Sequence, residues 1–257
     1  MTDAVGSRIL LHSRPELDQP PTPTRASFVV CSTQRCGSNL LCEGLTAAGA
    51  GVPAEYFHKR GSPVMAARWG VGNEEEYWRA LLRHRTTPAG VFGIKLHYMV
   101  LNQSRAQWLV SLPAIRFVCL ERQDSIRQAV SLARARMTGH FSQQDRTPAA
   151  VYKFREVLAA HTAILKQRAG WREFLNDVDP ARRMDVTYSE LVHDYAATVS
   201  AVAQFVGAPP VTPLGPPVLV RQADENTEEW AARFGADMHR FGVHIELPPK
   251  PEPTEGS

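Results

Sequence analysis

The chain has 257 residues, of which 44% are hydrophobic and 21% are charged, a composition typical of one soluble domain with a large core. The net charge of +3 suits an anionic small ligand and falls short of a nucleic-acid-binding surface. No run of about 18 apolar residues occurs, so the sequence predicts no membrane-spanning helix.

Short apolar runs rich in β-branched residues predict four strands, at 27–31, 91–96, 115–120 and 184–188. Apolar residues at helical spacing predict helices at 40–48, 74–85, 126–137, 151–165, 191–205 and 226–235. This alternation predicts an α/β fold with a mainly parallel sheet flanked by helices. Ligands bind such sheets at the carboxyl ends of the strands.

The two ends of the chain are rich in proline and polar residues. We expect residues 1–26 to form a flexible arm, 27–245 the folded domain, and 246–257 a disordered tail. No secretory signal is evident, and the four cysteines lack Cys-x-x-Cys spacing. We therefore expect free thiols, a reducing cytoplasmic compartment and no metal site.

The segment after the first predicted strand reads Ser-Thr-Gln-Arg-Cys-Gly-Ser-Asn and leads into a helix. Backbone N–H groups of such a loop, together with the helix N-terminus, bind phosphate well. The loop lacks the first glycine and the lysine of a nucleotide-hydrolase P-loop, which argues against a magnesium-dependent kinase. The alternative is an ordinary turn in which Ser38 caps the helix.

Residues 33–41 resemble the 5′-phosphosulfate loop of sulfotransferases, most closely that of the bacterial trehalose 2-sulfotransferase family. The resemblance implies a P-loop-like three-layer fold, 3′-phosphoadenosine 5′-phosphosulfate as co-substrate, no metal, and a possible homodimer. It also implies which residues grip the phosphosulfate, with Arg35 replacing the lysine of the cytosolic enzymes: Gln34, Arg35, Cys36, Gly37, Ser38 and Asn39.

Arg122 follows the third predicted strand, and Ser131 lies on the next helix. An arginine at a strand end can bind phosphate through two parallel hydrogen bonds. Residues 122–131 resemble the motif with which sulfotransferases hold the 3′-phosphate of the donor, a site that a simple nucleotide kinase does not need. The alternatives are a surface ion pair between Arg122 and Asp124, and a helical serine without a ligand.

A third segment, at 221–230, resembles the C-terminal part of the trehalose-type enzymes. There Arg221 and Gln222 would contact phosphate as the segment closes over the donor. A plain surface loop ahead of the last helix explains these residues almost as well.

Two residues are candidates for the general base that accepts the acceptor's proton. Glu55 matches the glutamate of the trehalose-type family, whereas His97 has the Lys-x-His spacing of the cytosolic enzymes. Histidine has a suitable ordinary pKa near 6.5, and glutamate, near 4.3, would need burial to raise its pKa. We rank Glu55 slightly ahead.

On the acceptor side we expect Lys95 to face the sulfonate or the acceptor, and Tyr56 and Phe57 to stack on a sugar ring. Core packing is the alternative role of the two aromatic residues. The sequence thus predicts a sulfotransferase acting on a carbohydrate or glycolipid hydroxyl, with no nucleic-acid partner. A non-catalytic nucleotide-binding protein and an atypical P-loop kinase are the rival hypotheses.

Overall fold

The computed structural model describes residues 13–139, 150–209, 215–216, 225–243 and 245. Four strands in these residues form one parallel sheet with the spatial order β2-β1-β3-β4. They are β1 (Ala26–Ser32), β2 (Val91–His97), β3 (Ile115–Glu121) and β4 (Arg183–Thr187). The α/β fold with a parallel sheet, predicted from the sequence, is confirmed.

The helices in the described residues are α1 (Ser38–Ala47), α2 (Ser62–Trp69), α3 (Glu74–Arg85), α4 (Gln103–Ser111), α5 (Ser125–Thr138), α6 (Phe154–Phe174), α7 (Tyr188–His193), α8 (Tyr195–Phe205) and α9 (Glu225–Arg240). The sequence did not predict α2 and α4. No helix in the described ranges combines the length and the apolar composition needed to cross a membrane.

The segment predicted as one helix over 191–205 is divided at Asp194. Its backbone leaves the helical region, with φ −135° and ψ 77°, and its side chain accepts the Ala197 N–H of the next helix. Helix α7 also begins earlier than predicted, because Thr187, the last residue of β4, forms a capping box with Glu190. Tyr188, predicted to end the strand, is therefore the first residue of α7.

Both faces of the sheet are buried, so the molecule has three layers. Alternate residues of β1 point to opposite faces, with Phe28 on one side and Val29 on the other. The face of Phe28 packs against α1 and α8, and the face of Val29 packs against α3, α4 and Trp171 of α6. A third apolar cluster joins α5, α6 and α9.

Residues 13–25, predicted to belong to a flexible arm, lie against the domain. Asp18 accepts hydrogen bonds from Arg68 at 2.9 Å and from the Trp69 indole at 3.1 Å, and it pairs with the fully buried Arg85 at 3.1 Å. A buried guanidinium requires a counterion, which is why this part of the arm is held in place. The tail at 246–257 lies outside the described residues.

Candidate active site

The carboxyl ends of the four strands meet at one edge of the sheet. Ser32, the last residue of β1, is in register with His97 of β2, and Glu121 of β3 is in register with Thr187 of β4. The segments that follow these strands therefore lie side by side, at the edge where parallel sheets bind ligands.

The loop after β1 has a backbone suited to anions. Arg35 and Gly37 both adopt left-handed conformations, with φ 65° and 95°. Such residues turn neighbouring N–H groups toward a common concavity. Helix α1 begins at Ser38 with Gly37 as its N-cap, so the alternative in which Ser38 caps the helix is wrong. The N-cap offers no side-chain oxygen to the first turn, whose N–H groups favour an anion.

Side chains of this loop divide into partly exposed and buried groups. Gln34, Arg35 and Asn39 are half-buried, whereas Cys36 is completely buried in the core and Ser38 is buried as well. Desolvation raises the pKa of the Cys36 thiol. Cys36 can therefore offer an anion its backbone N–H but not its side chain.

The two predicted phosphate-binding regions are in direct contact. Arg35 Nε donates a hydrogen bond to Ser131 Oγ at 2.9 Å, which joins the first loop to helix α5. Asp124, the alternative partner considered for Arg122, accepts the Arg127 N–H at 2.8 Å as the N-cap of α5 and also pairs with the Arg127 guanidinium.

Tyr188 connects the same two regions. The Arg122 Cζ lies 5.0 Å from the centroid of the Tyr188 ring, a cation–π contact. The ring also covers Gly37 closely, since a Cβ added to Gly37 would lie 2.5 Å from Tyr188 Cδ2. Arg122 and the first loop therefore lie on one edge of the sheet. Sequence patterns do not single out Tyr188, because they predict it to be the last residue of a strand.

A buried polar network lies beneath this loop, and the sequence did not predict it. Gln128 of α5 donates through Nε2 to Thr33 Oγ1 at 2.8 Å and to the Gln34 carbonyl at 2.6 Å. Arg168 of α6 donates to Gln128 Oε1 at 2.8 Å. Helical periodicity could place Gln128 and Arg168 on buried faces, but it could not reveal that these faces meet.

Beside the loop, Glu55 lies in a cluster of three charged or titratable side chains. Its Oε1 is 2.6 Å from Lys95 Nζ and 3.4 Å from His97 Nε2. The Lys95 N–H donates to the Ala54 carbonyl at 3.0 Å, which holds this segment alongside β2. Ser32 Oγ lies 3.0 Å from His97 Nδ1. The structure thus brings both candidate bases together.

Glu55 is ionised at neutral pH. Burial alone would raise the pKa of its carboxyl, but the Lys95 charge and the His97 hydrogen bond outweigh that effect and hold the pKa well below the usual range. Burial also disfavours the charged form of Lys95 and by itself would lower the pKa of this lysine. The Glu55 carboxylate outweighs that effect, so the pKa of Lys95 is raised. The result is an ion pair whose carboxylate remains one-third exposed.

Lys95 links this pair to the anion loop. Its Nζ donates to Asn39 Oδ1 at 2.5 Å while contacting Glu55, and the side chain is only 2% exposed. The positive charge that a P-loop lysine would supply from the loop is thus supplied from β2. Lys95 touches the carboxylate and the loop and is too buried to form an acceptor surface itself.

The prediction that Tyr56 and Phe57 bind the acceptor is wrong, and the alternative of core packing holds. Tyr56 is fully buried, its hydroxyl donates to the Val52 carbonyl, and its ring stacks on Phe92. Phe57 is 8% exposed and packs edge-on against Trp108. Both rings fill the space between β2 and its flanking helices, which leaves no face for a sugar.

A cavity of about 500 Å³ opens at the ends of β1, β3 and β4, on the α6 side of the sheet. Ser32, Thr33, Glu121, Arg168 and Trp171 are among its lining residues. It therefore adjoins the buried network rather than the exposed carboxylate. Arg221 and Gln222, predicted to contact phosphate, lie outside the described residues.

The site combines a loop that attracts anions with the ionised carboxylate of Glu55. The ammonium group of Lys95 lies between them and contacts both. The loop can hold a phosphate or sulfonate through N–H groups and guanidinium. The carboxylate can accept a proton from a hydroxyl group. No cluster of three or more metal-ligating residues occurs in the described ranges. This arrangement suits transfer of a negatively charged group to a hydroxyl.

Comparison with known proteins agrees with this chemistry. A family model described as Stf0 sulphotransferase matches residues 27–237. A trehalose 2-sulfotransferase from Mycobacterium tuberculosis (strain Erdman) is 32% identical, and the match covers 84% of this chain and 97% of that protein. A trehalose 2-sulfotransferase from Mycolicibacterium smegmatis is 30% identical and covers 85% and 98%.

A solved structure supports the fold. The sulfotransferase domain from the curacin biosynthetic pathway is 14% identical to this chain, with a TM-score of 0.50. The match covers 91% of this chain and 96% of that domain. At this level of identity the likeness concerns the arrangement of strands and helices alone.

Proposed function

The chain belongs to the Stf0 sulphotransferase family, and we propose that it transfers a sulfonate group from 3′-phosphoadenosine 5′-phosphosulfate to a carbohydrate hydroxyl. Trehalose or a trehalose-containing glycolipid is the first acceptor to consider, because the two curated relatives are named trehalose 2-sulfotransferases and match over most of their length.

The hydrogen bond between Arg35 and Ser131 is the observation that carries the assignment of the donor. It places the loop after β1 against the helix after β3. Arg122 lies close by, because its guanidinium group packs on the Tyr188 ring, which in turn covers Gly37 of the loop. A donor with phosphate groups at both the 5′ and 3′ positions of one ribose needs two adjacent anion sites. We assign the loop N–H groups and Arg35 to the phosphosulfate, and Arg122 and Ser131 to the 3′-phosphate.

Glu55 is the proposed general base. The acceptor hydroxyl gives its proton to the Glu55 carboxylate while its oxygen bonds to sulfur. The bond between sulfur and the bridging phosphate oxygen breaks, and that oxygen leaves as part of 3′-phosphoadenosine 5′-phosphate. The one-third exposure of Glu55 allows a hydroxyl to approach it. Its lowered pKa keeps it ionised but makes it a weaker base than an ordinary glutamate, so it gains basicity only as Lys95 turns from the carboxylate toward the sulfonate.

His97 is proposed to orient Glu55 rather than to act as the base. Its Nε2 faces the carboxylate and its Nδ1 faces Ser32 Oγ, so both ring nitrogens already have partners. An ionised Glu55 favours the tautomer with the proton on Nε2. Nδ1 then faces Ser32 Oγ, which also donates to the Leu96 carbonyl at 3.3 Å. The His97 side chain is only 11% exposed, against 33% for Glu55.

Lys95 is proposed to stabilise charge on both sides of the transfer. In the resting site its ammonium group contacts Asn39 of the loop and Glu55. When Glu55 takes up a proton, this ammonium loses its counterion and can instead interact with negative charge on the sulfonate or the departing phosphate. The lysine thus couples proton uptake to stabilisation of the leaving group.

Titration calorimetry tests the donor, and a labelled-donor assay tests the reaction. We expect 3′-phosphoadenosine 5′-phosphate to bind at least about tenfold more tightly than ADP, since one charge-assisted contact contributes about 1.5–3 kcal/mol. Labelled sulfonate should then appear on one member of an acceptor panel that includes trehalose and other disaccharides. Equal affinity for the two nucleotides would refute the donor assignment, and transfer only to non-carbohydrate hydroxyls would refute the acceptor class.

A further inference from the structure

We propose that Gln128, held in place by Arg168, is a positioning residue that presets the donor loop. The inference rests on the proposed function, because the ligand of that loop is the 5′-phosphosulfate end of the donor. Neither residue belongs to the groups assigned to the donor or the acceptor. Both side chains are buried beneath the loop.

Gln128 reaches the loop from helix α5. Its side chain is completely buried, and Nε2 donates to two acceptors, Thr33 Oγ1 at 2.8 Å and the Gln34 carbonyl at 2.6 Å. An amide nitrogen carries two hydrogens, so both are used by these bonds. If either of these buried hydrogens lacked a partner, the folded protein would be less stable.

Arg168 determines which way the Gln128 amide points. A guanidinium group has only donors, and Arg168 Nη2 lies 2.8 Å from Gln128 Oε1. The amide oxygen must therefore face Arg168, which turns the amide nitrogen toward the loop. Rotating the amide by half a turn would set donor against donor at Arg168 and would leave the Gln34 carbonyl facing an oxygen.

The bond to the Gln34 carbonyl fixes the peptide that leads into Arg35. In a trans peptide the carbonyl and the following N–H point in opposite directions, and the described chain has no cis peptide bond. Since Gln128 draws the Gln34 carbonyl inward, the Arg35 N–H is directed outward. Arg35 also has a left-handed φ of 65°, which costs a non-glycine residue energy and persists only where its surroundings enforce it.

Arg168 also reaches the strand that carries the second anion site. Its Nη2 donates to the carbonyl of Arg122, and its Nη1 pairs with Glu121 at 2.9 Å. One guanidinium group, 8% exposed, thus holds the end of β3 and, through Gln128, the loop after β1. We infer that it sets the spacing between the two phosphate positions.

Three methionine variants, which remove hydrogen bonding and keep side-chain length at the two glutamines, test the proposal. In Gln128→Met the affinities for 3′-phosphoadenosine 5′-phosphate and adenosine 5′-phosphate should fall by a similar factor of about ten, since both use the loop. In Arg168→Met the 3′-phosphorylated nucleotide should lose more affinity than the other. Gln167→Met is the control. Gln167 is a buried glutamine next to Arg168 on α6, and its side chain bonds only within that helix, to the Ala163 carbonyl, in the hydrogen bonds described.

A purely structural role predicts a different pattern. Melting temperatures would fall while the folded variants kept wild-type affinities and an unchanged ratio between the two nucleotides. Gln128→Glu serves if the methionine variant fails to fold, because it keeps a partner for Arg168 but cannot donate to the Gln34 carbonyl. Affinity within twofold of wild type in a folded Gln128 variant would overturn the proposal. If wild type itself shows no preference for the 3′-phosphorylated nucleotide, the donor assignment fails instead.

Discussion

The Arg35 guanidinium donates to the Ser131 hydroxyl across 2.9 Å, although 96 positions separate the two residues in the sequence. The contact ties the turn after β1 to the middle of the helix that follows β3. It also orders an arginine whose backbone is strained, so that its charge need not be positioned when the donor arrives. Preordered donors of this kind stabilise developing negative charge without reorganisation.

Removing the Ser131 hydroxyl should weaken the donor site. In Ser131→Ala, Arg35 loses an acceptor and the 3′-phosphate loses a donor, so affinity for 3′-phosphoadenosine 5′-phosphate should fall about five- to twentyfold by calorimetry. Ser111→Ala is the control, since the Ser111 hydroxyl bonds to the Trp108 carbonyl within an outer helix. Equal affinities of the two variants would contradict the role of Ser131.

A methyl group at Gly37 should disable the loop. Its Cβ would lie 2.5 Å from the Tyr188 ring, at a φ of 95°. Gly49 has a similar left-handed φ of 68° and open space around it, so Gly49→Ala carries the backbone cost, about 1 kcal/mol, without the collision. We expect Gly37→Ala to reduce nucleotide affinity at least about tenfold and Gly49→Ala to reduce stability alone. Nucleotide titration and thermal denaturation of both variants separate these effects.

The two candidate bases should differ in their effect on turnover. Glu55→Gln should lower kcat by about 10²–10⁴ and leave affinity for 3′-phosphoadenosine 5′-phosphate within about twofold, because it removes proton acceptance and keeps the shape. His97→Ala should lower kcat less, since it removes only the group that orients Glu55. The exposed Glu173 provides a neutral control as Glu173→Gln. An active Glu55→Gln beside an inactive His97→Ala would exchange the two roles.

The ion pair between Glu55 and Lys95 should give stability a defined pH dependence. The pKa of Glu55 is lower in the folded chain than its ordinary value, so its contribution is complete above about pH 4.3 and is lost as the pH falls further. Wild type should therefore be more stable than Glu55→Gln at neutral pH, and the gap should narrow on acidification. Urea denaturation from neutral pH to about pH 3.5 measures the gap. A gap that widens in acid would refute the lowered pKa.

Asp18 should stabilise the fold without affecting catalysis. Asp18→Ala removes the carboxylate that pairs with the fully buried Arg85 and with Arg68, at an expected cost of about 2–3 kcal/mol. Glu75→Ala removes an exposed pair with Arg79 on α3 and should cost nothing measurable. Urea denaturation tests both variants. An unchanged denaturation midpoint for Asp18→Ala would show that residues 13–25 are not anchored through this contact.

Local patterns were sufficient for the parallel sheet and for the positions of the first two anion motifs. Strand β1 and helix α3 follow from apolar runs and periodicity within a few neighbouring residues, and a strand followed by a loop and a helix places Arg35 and Arg122 at strand ends. Helix α4 was missed, and Tyr188 was assigned to a strand, because a capping box rather than periodicity begins its helix. The identity of the donor came from the resemblance of residues 33–41 to sulfotransferases, because no local pattern of residues specifies a donor.

By itself the sequence determined the order of strands and helices and which charged residues follow each strand, because those features depend on neighbouring residues. Only the tertiary structure decided which side chains meet. Tyr56 became core rather than acceptor surface because β2 and its flanking helices enclose it. Gln128 and Arg168 became partners of the loop because α5 and α6 bring them together, and side-chain contacts between distant segments depend on packing that no local pattern contains.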